Sequence, residues 1–527
     1  MNWETPYRSN RSPVFADNMV ATSQPLATEA GLDAIRRGGN AIDAAIAAAI
    51  TLAVVEPCNN GIGSDAFAIV WDGAELHGLN ASGKSPAGWD PAIYKQKYDA
   101  MPSLGWDAVT VPGAVSAWVA LSEKFGELPF ADLFNAGIHY AEQGFQVGPK
   151  TGFYWQLAQK RFARFQPFID TFMKAGRAPE IGEEIKLPDH GATLRSIAET
   201  RGESFYQGHL AEAMVKDCAA HDGVMSMEDL GNHNAQWVGT ISQSLGRIAL
   251  HEIPPNGQGL MALIALGLLK HLEIERYPSA GADAIHLQVE CMRVAYAEVE
   301  RHLADINHMT RVTVADLLDE NYLKSRAQEI RIGRAQPNPT ALGAAPDTVY
   351  LSTADASGRM VSMIQSNYRG FGSGIVVPGT GISLQNRGNG FTLEDGHPNQ
   401  LAGGKRPFHT IIPGFIMQDS QPSLSFGVMG GHMQAQGHLQ MLVRIYVWGE
   451  NPQAASDAPR WYLEEDGKVH LEAGTSTDVC NDLKARGHEI VLDSHESLFG
   501  GAQLIYKMDR GYCGGSDHRK EGLVSGF

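Results

Sequence analysis

The chain is 527 residues long, 43% apolar and 19% charged, with a formal charge of −17 and a pI near 5.5. That length fits roughly two to four domains or one large layered body, and the even composition fits a packed soluble protein. No Lys/Arg-rich block offsets the acidity, which argues against nucleic acid or an anionic membrane as partner and leaves room for a basic pocket that receives a small anion.

The first residues, "MNWETPYRSNRSPVFADN", carry no apolar h-region, so no secretory signal is visible and a cytoplasmic location is expected. Five scattered cysteines without a CxxC pair favour reduced thiols in a reducing compartment. In chain order, "QPLATEAGLDAIRRGGN" predicts a helix that stops at Gly38-Gly39, and "AIDAAIAAAITLAVV" a helix apolar nearly all round and therefore deeply buried. Its apolar run is about 12 residues long, too short to cross a bilayer. "DAFAIVWDGAELHGLN" (65–80) reads as two strands joined at Asp72-Gly73. Helices are expected over 283–305 and 314–330, then a Pro/Gly-rich loop over 332–347. Beyond it, "TVYLSTADASGRMVSMIQSNY" reads as two strands joined at Ser357-Gly358, "FHTIIPGFIM", "PSLSFGVMGG" and "KVHLEAG" as further strands, and "HLQMLVRIYVWG" (438–449) as a helix. Strand and helix runs without regular βα alternation suggest an α+β layered body.

The loop ends at Asp347-Thr348, where the strand pattern begins. A threonine hydroxyl is a weak nucleophile that needs a base beside it. If the chain were cut before Thr348, its own α-amine, with a pKa near 7.7–8.0, would supply that base. The alternative is a β-branched residue that simply opens a strand. "GVMGGH" (427–432) runs a strand into Gly430-Gly431, whose N–H groups can approach a ligand closely as an oxyanion hole, or form an ordinary tight turn. "GFGSGIVVPGTG" (370–381) matches neither a phosphate loop nor a nucleophile elbow. His432 and His438 are six apart and no HExxH occurs, so neither a metal nor any other cofactor is expected.

Taken together and in order, these segments resemble the γ-glutamyltranspeptidase family of self-cleaving, N-terminal-nucleophile hydrolases over nearly the whole chain. The likeness is carried by "MVATSQPLATEAGLDAIRRGGNAIDAAIAAAITLAVVEP", "AVTVPGAVSAW", "FGELPFADLFNAGIHYAEQGFQV", "GESFYQG", "DTVYLSTADASGRMVSMIQSNYRGFGSGIVVPGTGISLQN" and "GGSDHRKEGLVSGF". The resemblance implies a four-layer αββα sandwich built from a large subunit, 1–347, and a small one, 348–527. It implies autocleavage after Asp347, Thr348 as nucleophile, Ser366 as the supporting hydroxyl where the family has a threonine, and Gly430 and Gly431 as the oxyanion hole. Asp355 and Gly358 stand in the family's register.

The expected glutamyl clamp is altered. Ser82 stands at the position of the family's arginine, His409-Thr410 at its serine pair, and Gly390 at its aspartate. Tyr368 replaces an asparagine, although Asn367 is adjacent. Each lost charge-assisted hydrogen bond costs about 1.5–3 kcal/mol of binding, so γ-glutamyl recognition is expected to be weak. Arg387, or Arg369, offers a different carboxylate anchor. The resemblance therefore implies a self-processing threonine amidohydrolase acting on a small anionic amide and water, oxamate being the preferred guess. Genuine γ-glutamyl transfer or glutathione hydrolysis, cephalosporin or glutaryl acylase activity, and an unprocessed binding or structural relative are the alternatives. Its assembly is expected to be a heterodimer of its own two fragments, a dimer of such pairs being left open.

Overall fold

The computed structural model describes residues 11–336, 348–492 and 494–527, so Asp347 and most of the loop before Thr348 lie outside the described residues. The architecture is mixed α/β, organised by two antiparallel seven-stranded sheets. In the first, the strand Val349–Ala354 lies between Met19–Thr22 and Met360–Ser366, and Met360–Ser366 in turn pairs with Asp65–Trp71. In the second, Gln421–Met429 lies between Gly414–Gln418 and Gly501–Lys507.

Period-two alternation sorts the side chains. Val349, Leu351, Val361 and Met363 face a helical cluster that includes the wholly buried helix Ala41–Val55. Leu424, Phe426 and Val428 face a second cluster with the helices Gly259–Leu269, Ala282–His302 and Met433–Tyr446. The opposite faces, with Tyr350, Ile364, Phe67, Phe415, Met429 and Ile505, meet in a third cluster between the sheets. Polar groups are buried there too. The Tyr350 hydroxyl lies 2.7 Å from Ser362 Oγ, and the Ser352 and Ser425 hydroxyls are hydrogen-bonded across the gap. Gly427 permits this approach: a Cβ there would lie 2.4 Å from the Tyr350 ring.

Helix Ala41–Val55 starts on a capping box, in which the Asn40 side chain accepts from the N–H groups of Ile42 and Asp43 while Asp43 accepts from the N–H of Asn40. The Asp355 carboxylate accepts from the Ala41 N–H at 2.8 Å and from the Ser357 N–H at 2.9 Å. It thereby fastens the turn of the 349–366 hairpin to a helix N-terminus. All five cysteines are free and buried. No helix among the described residues is long and apolar enough to cross a membrane.

Three expected elements differ. The 314–330 helix is two, Val314–Leu317 and Glu320–Ala327, because Asp319 caps a new start by accepting from the Tyr322 N–H. The helix expected at 438–449 runs from Met433 to Tyr446. Its first turns were disguised by Gln434 and Gln436, which are buried because they accept hydrogen bonds from the N–H groups of Ile412 and Leu463. Of "FHTIIPGFIM", only Gly414–Gln418 is a strand.

Replacing Gly427 by valine should force the sheets apart at Tyr350 and cost at least ~1–3 kcal/mol. Urea denaturation should show this as a lowered midpoint; an unchanged midpoint would mean that the gap is not set by this contact.

Candidate active site

Thr348 is buried directly before the strand Val349–Ala354. The hairpin pairs Val349 with Gln365, so the next step of the ladder sets Thr348 opposite Ser366. That register explains the 18-residue spacing: the Thr348 hydroxyl donates to Ser366 Oγ at 3.2 Å. Ser366 is in turn the ladder partner of Asp65. Thr348, Ser366 and Asp65 therefore form a row across three strands, on the faces that carry Tyr350, Ile364 and Phe67 toward the other sheet.

The other sheet answers this row in register. Ser352 meets Ser425, and Tyr350 covers Gly427. A further two-residue step along both strands brings Thr348 level with Met429, the residue before Gly430-Gly431. Both glycines have positive φ, +122° and +58°, and a Cβ on Gly430 would meet the backbone of Gly500 at 2.9 Å. Their carbonyls accept from the N–H groups of Met433 and Gln434 at the start of a helix, whereas neither glycine N–H donates to a turn or cap among the described residues. Gln258 ties this turn to Thr410, since its Nε2 donates to the carbonyls of Gly431 and Thr410.

Beside the row lies a buried charge cluster. The Asp65 carboxylate accepts from the N–H groups of Gly83 and Gly113 at 3.2 and 3.0 Å and meets His409 Nε2 at 3.1 Å. Burial nonetheless pushes its pKa up to about 7, opposed chiefly by the nearby Arg387 guanidinium. His409 is held well below its ordinary pKa, by burial first and by Arg387 second. It is therefore neutral, and its Nε2–H donates to Asp65. Arg387 enters from the turn Arg387–Gly390 and donates from Nη1 to Thr410 Oγ1 at 2.9 Å. Its Nε and Nη2 are buried with no hydrogen-bond partner among the described residues, and burial lowers its pKa to about 10. The Tyr368 ring lies over it at 4.6 Å. Tyr368 itself has φ +77°, a costly conformation for a bulky residue, with its N–H donating to Ser366 Oγ at 2.8 Å.

The remaining expected residues are engaged within the protein. Asn367 accepts from Ser64 Oγ at 2.8 Å and donates to Ser383 Oγ at 3.2 Å. Ser82 donates to Asn80 Oδ1 at 2.7 Å. Gly390 packs its backbone against Phe408. Asp65 and Gln258 were not anticipated. Their only signal in the sequence is a carboxylate opening the apolar run "DAFAIV" and a glutamine in the turn "PPNGQG".

A cleft of about 850 Å³ opens past Tyr368, lined by Tyr98, Arg369, Phe391, Phe408 and His432. A second cavity of about 600 Å³ includes Ser116, Tyr206 and His233 in its wall. Ser116 Oγ and His233 Nε2 are 3.0 Å apart, but the serine donates its proton to the Gly113 carbonyl at 2.7 Å, so the pair is not an activated nucleophile.

Residues 27–527 match the family model described as gamma-glutamyltranspeptidase. The chain is 33% identical to an oxamate amidohydrolase proenzyme of Klebsiella pneumoniae, with 98% of this chain and 99% of that one covered. It is 31% identical to the glutathione hydrolase-like YwrD proenzyme of Bacillus subtilis, over 98% of this chain and 100% of that one. The structure of a cephalosporin acylase from Bacillus halodurans superposes with a TM-score of 0.96 at 45% identity, covering 100% of this chain and 99% of that one. With that match running through the Thr348 hairpin and the glycine turn alike, the chain belongs to the gamma-glutamyltranspeptidase family and is an amide hydrolase of it.

Proposed function

We propose that the chain cleaves itself between Asp347 and Thr348 and then acts as a threonine-nucleophile amidohydrolase. Fragments 1–347 and 348–527 stay together as a heterodimer within one four-layer αββα body, a reading supported by the facing sheets and the helical clusters on their outer sides. Thr348 Oγ attacks the amide carbonyl carbon while the freed α-amine takes the hydroxyl proton. The N–H groups of Gly430 and Gly431 hold the oxyanion. Collapse breaks the C–N bond, the leaving amine collects the proton, and water then cleaves the acyl ester to restore Thr348. The observation that carries this reading is the buried Thr348 hydroxyl, 3.2 Å from Ser366 Oγ and in inter-sheet register with the glycine turn. The five free, buried cysteines support a cytoplasmic location as part of the same proposal.

For substrate we assign an amide whose acyl part bears a carboxylate, oxamate being the preferred case. The Nε and Nη2 of buried Arg387, without a partner among the described residues, support this, because a buried guanidinium gains most from a bidentate carboxylate. A standard γ-glutamyl clamp is disfavoured, since Ser82 is bonded to Asn80 where that reading needs a cation. A second reading, acylated β-lactams, draws support from the aromatic cleft of about 850 Å³, far larger than oxamate requires, and from the likeness to the Bacillus halodurans acylase.

On a denaturing gel, purified wild type should give two bands, of 347 and 180 residues, and Thr348→Ala a single uncut, inactive chain. A persistent single band in the wild type would favour the silent-relative alternative. Arg387→Gln should lower kcat/KM for carboxylate-bearing amides about 10- to 100-fold, the effect of one charge-assisted hydrogen bond, while a neutral amide changes little. Efficient turnover of acyl β-lactams with none of oxamate would select the second reading. The Asp65 carboxylate, with its pKa near 7, should compete for Arg387 once charged. KM for a carboxylate substrate should therefore rise as pH rises through neutrality, even as kcat rises with deprotonation of the amine. A KM profile that is as steep in Asp65→Asn as in wild type would refute that competition.

A further inference from the structure

Away from this site, one buried cluster gathers nitrogen and oxygen ligands from distant parts of the chain. His286 and Glu290 lie one turn apart on the helix Ala282–His302, so their side chains share a face. His488, beyond the helix Thr477–Ala485, joins them from 202 residues away. One ligand atom from each lies within 4.8 Å of the others, and all three residues are buried.

We propose that His286, Glu290 and His488 form a site for a divalent cation of the zinc class. His286 Nε2 lies 2.8 Å from the Arg331 carbonyl. A carbonyl only accepts, so Nε2 carries the proton and Nδ1 presents a lone pair. Metal-ligating histidines are commonly held in this way. That Nδ1 is 2.7 Å from His488 Nε2, which must then donate to it, leaving His488 Nδ1 a buried acceptor without a partner among the described residues. A cation between the rings replaces the bridging proton, which moves to His488 Nδ1, and both histidines stay neutral. Zinc–nitrogen bonds of about 2.0–2.1 Å in a tetrahedral site require the two nitrogens to part by only about 0.6 Å. Glu290 supplies the oxygen, and its carboxylate is oriented by the Gln336 N–H at 2.8 Å.

The surrounding charge permits a cation. Arg293 approaches Glu290 at 3.3 Å, while Arg486 is paired with both Asp283 and Asp482 at 2.8 and 2.7 Å. These groups leave one negative charge in excess, and two nitrogens with one oxygen leave a fourth position for water. The same cluster docks the segment 331–336. The Arg331 carbonyl faces His286, the Gln336 N–H donates to Glu290, and Arg486 donates to the Ile332 carbonyl while accepting from the Ala335 N–H. His286 and Glu290 precede the Asp347–Thr348 bond and His488 follows it. If that bond is cut as proposed above, an occupied site ties the two fragments together; cation binding itself does not depend on the cut.

The test uses full-length protein stripped with chelator and titrated with Zn2+ in metal-free buffer. We expect one equivalent per chain by calorimetry and by elemental analysis after desalting, with a rise in Tm. His488→Ala and Glu290→Gln should bind at least ~100-fold more weakly and lose the Tm rise. Co2+ should give tetrahedral d–d absorption in the wild type, which decides the matter even where a variant fails to fold. Thr348→Ala should bind the metal as wild type does, which separates this outcome from that of the processing reading. No retained zinc, retention equal in the variants, or Co2+ bands without tetrahedral character would overturn the proposal.

Discussion

The contact of the Tyr350 ring with Gly427 sets how closely the two sheets approach, and everything at the site inherits that spacing. Because strand side chains repeat every two residues, one fixed contact between facing strands determines what meets what along their length. Ser352 therefore meets Ser425, and Thr348 is carried to the level of the glycine turn. Any side chain at position 427 would change the gap, and with it the distance from the hydroxyl to the N–H groups proposed to receive an oxyanion.

The second constraint is electrostatic. Burying Asp65, His409 and Arg387 together is costly unless each finds a partner. Asp65 is satisfied by two backbone N–H groups and by neutral His409, but Arg387 is satisfied only in part, by Thr410 and by the face of Tyr368. The strained φ of Tyr368 belongs to the same arrangement, since it lets the N–H reach Ser366 while the ring covers the guanidinium. A site that keeps two guanidinium nitrogens buried and unpaired among the described residues stores affinity for an anion of matching shape.

Upstream and downstream segments are interleaved throughout. The strand Val349–Ala354 is hydrogen-bonded to Met19–Thr22 on one side, and the C-terminal strand Leu523–Gly526 pairs with the other edge of Met19–Thr22. Asp355 adds a tie from the hairpin turn to helix Ala41–Val55. A nick before Thr348 would leave the strand that follows it held by ladder bonds on both flanks, so the new terminus stays in place.

Much of this was legible in the sequence. The buried helix at 41–55, the strands around Asp72-Gly73, the hairpin at Ser357-Gly358 and the glycine pair follow from local periodicity and turn chemistry, and the order of motifs indicated the family. The start of the helix at Met433 was not legible, because Gln434 and Gln436 look solvent-exposed until their partners at Ile412 and Leu463 are known. Asp65 gave almost no signal, since its meaning depends on Ser366 beside it in the ladder and on Arg387 and His409 from loops more than 300 residues away. The sequence by itself determined which residue types stand at the ends of which strands, because those choices are enforced locally by period, caps and turns. Only the tertiary structure decided which of them share a buried volume, because charge pairing and desolvation depend on distances that no local pattern encodes.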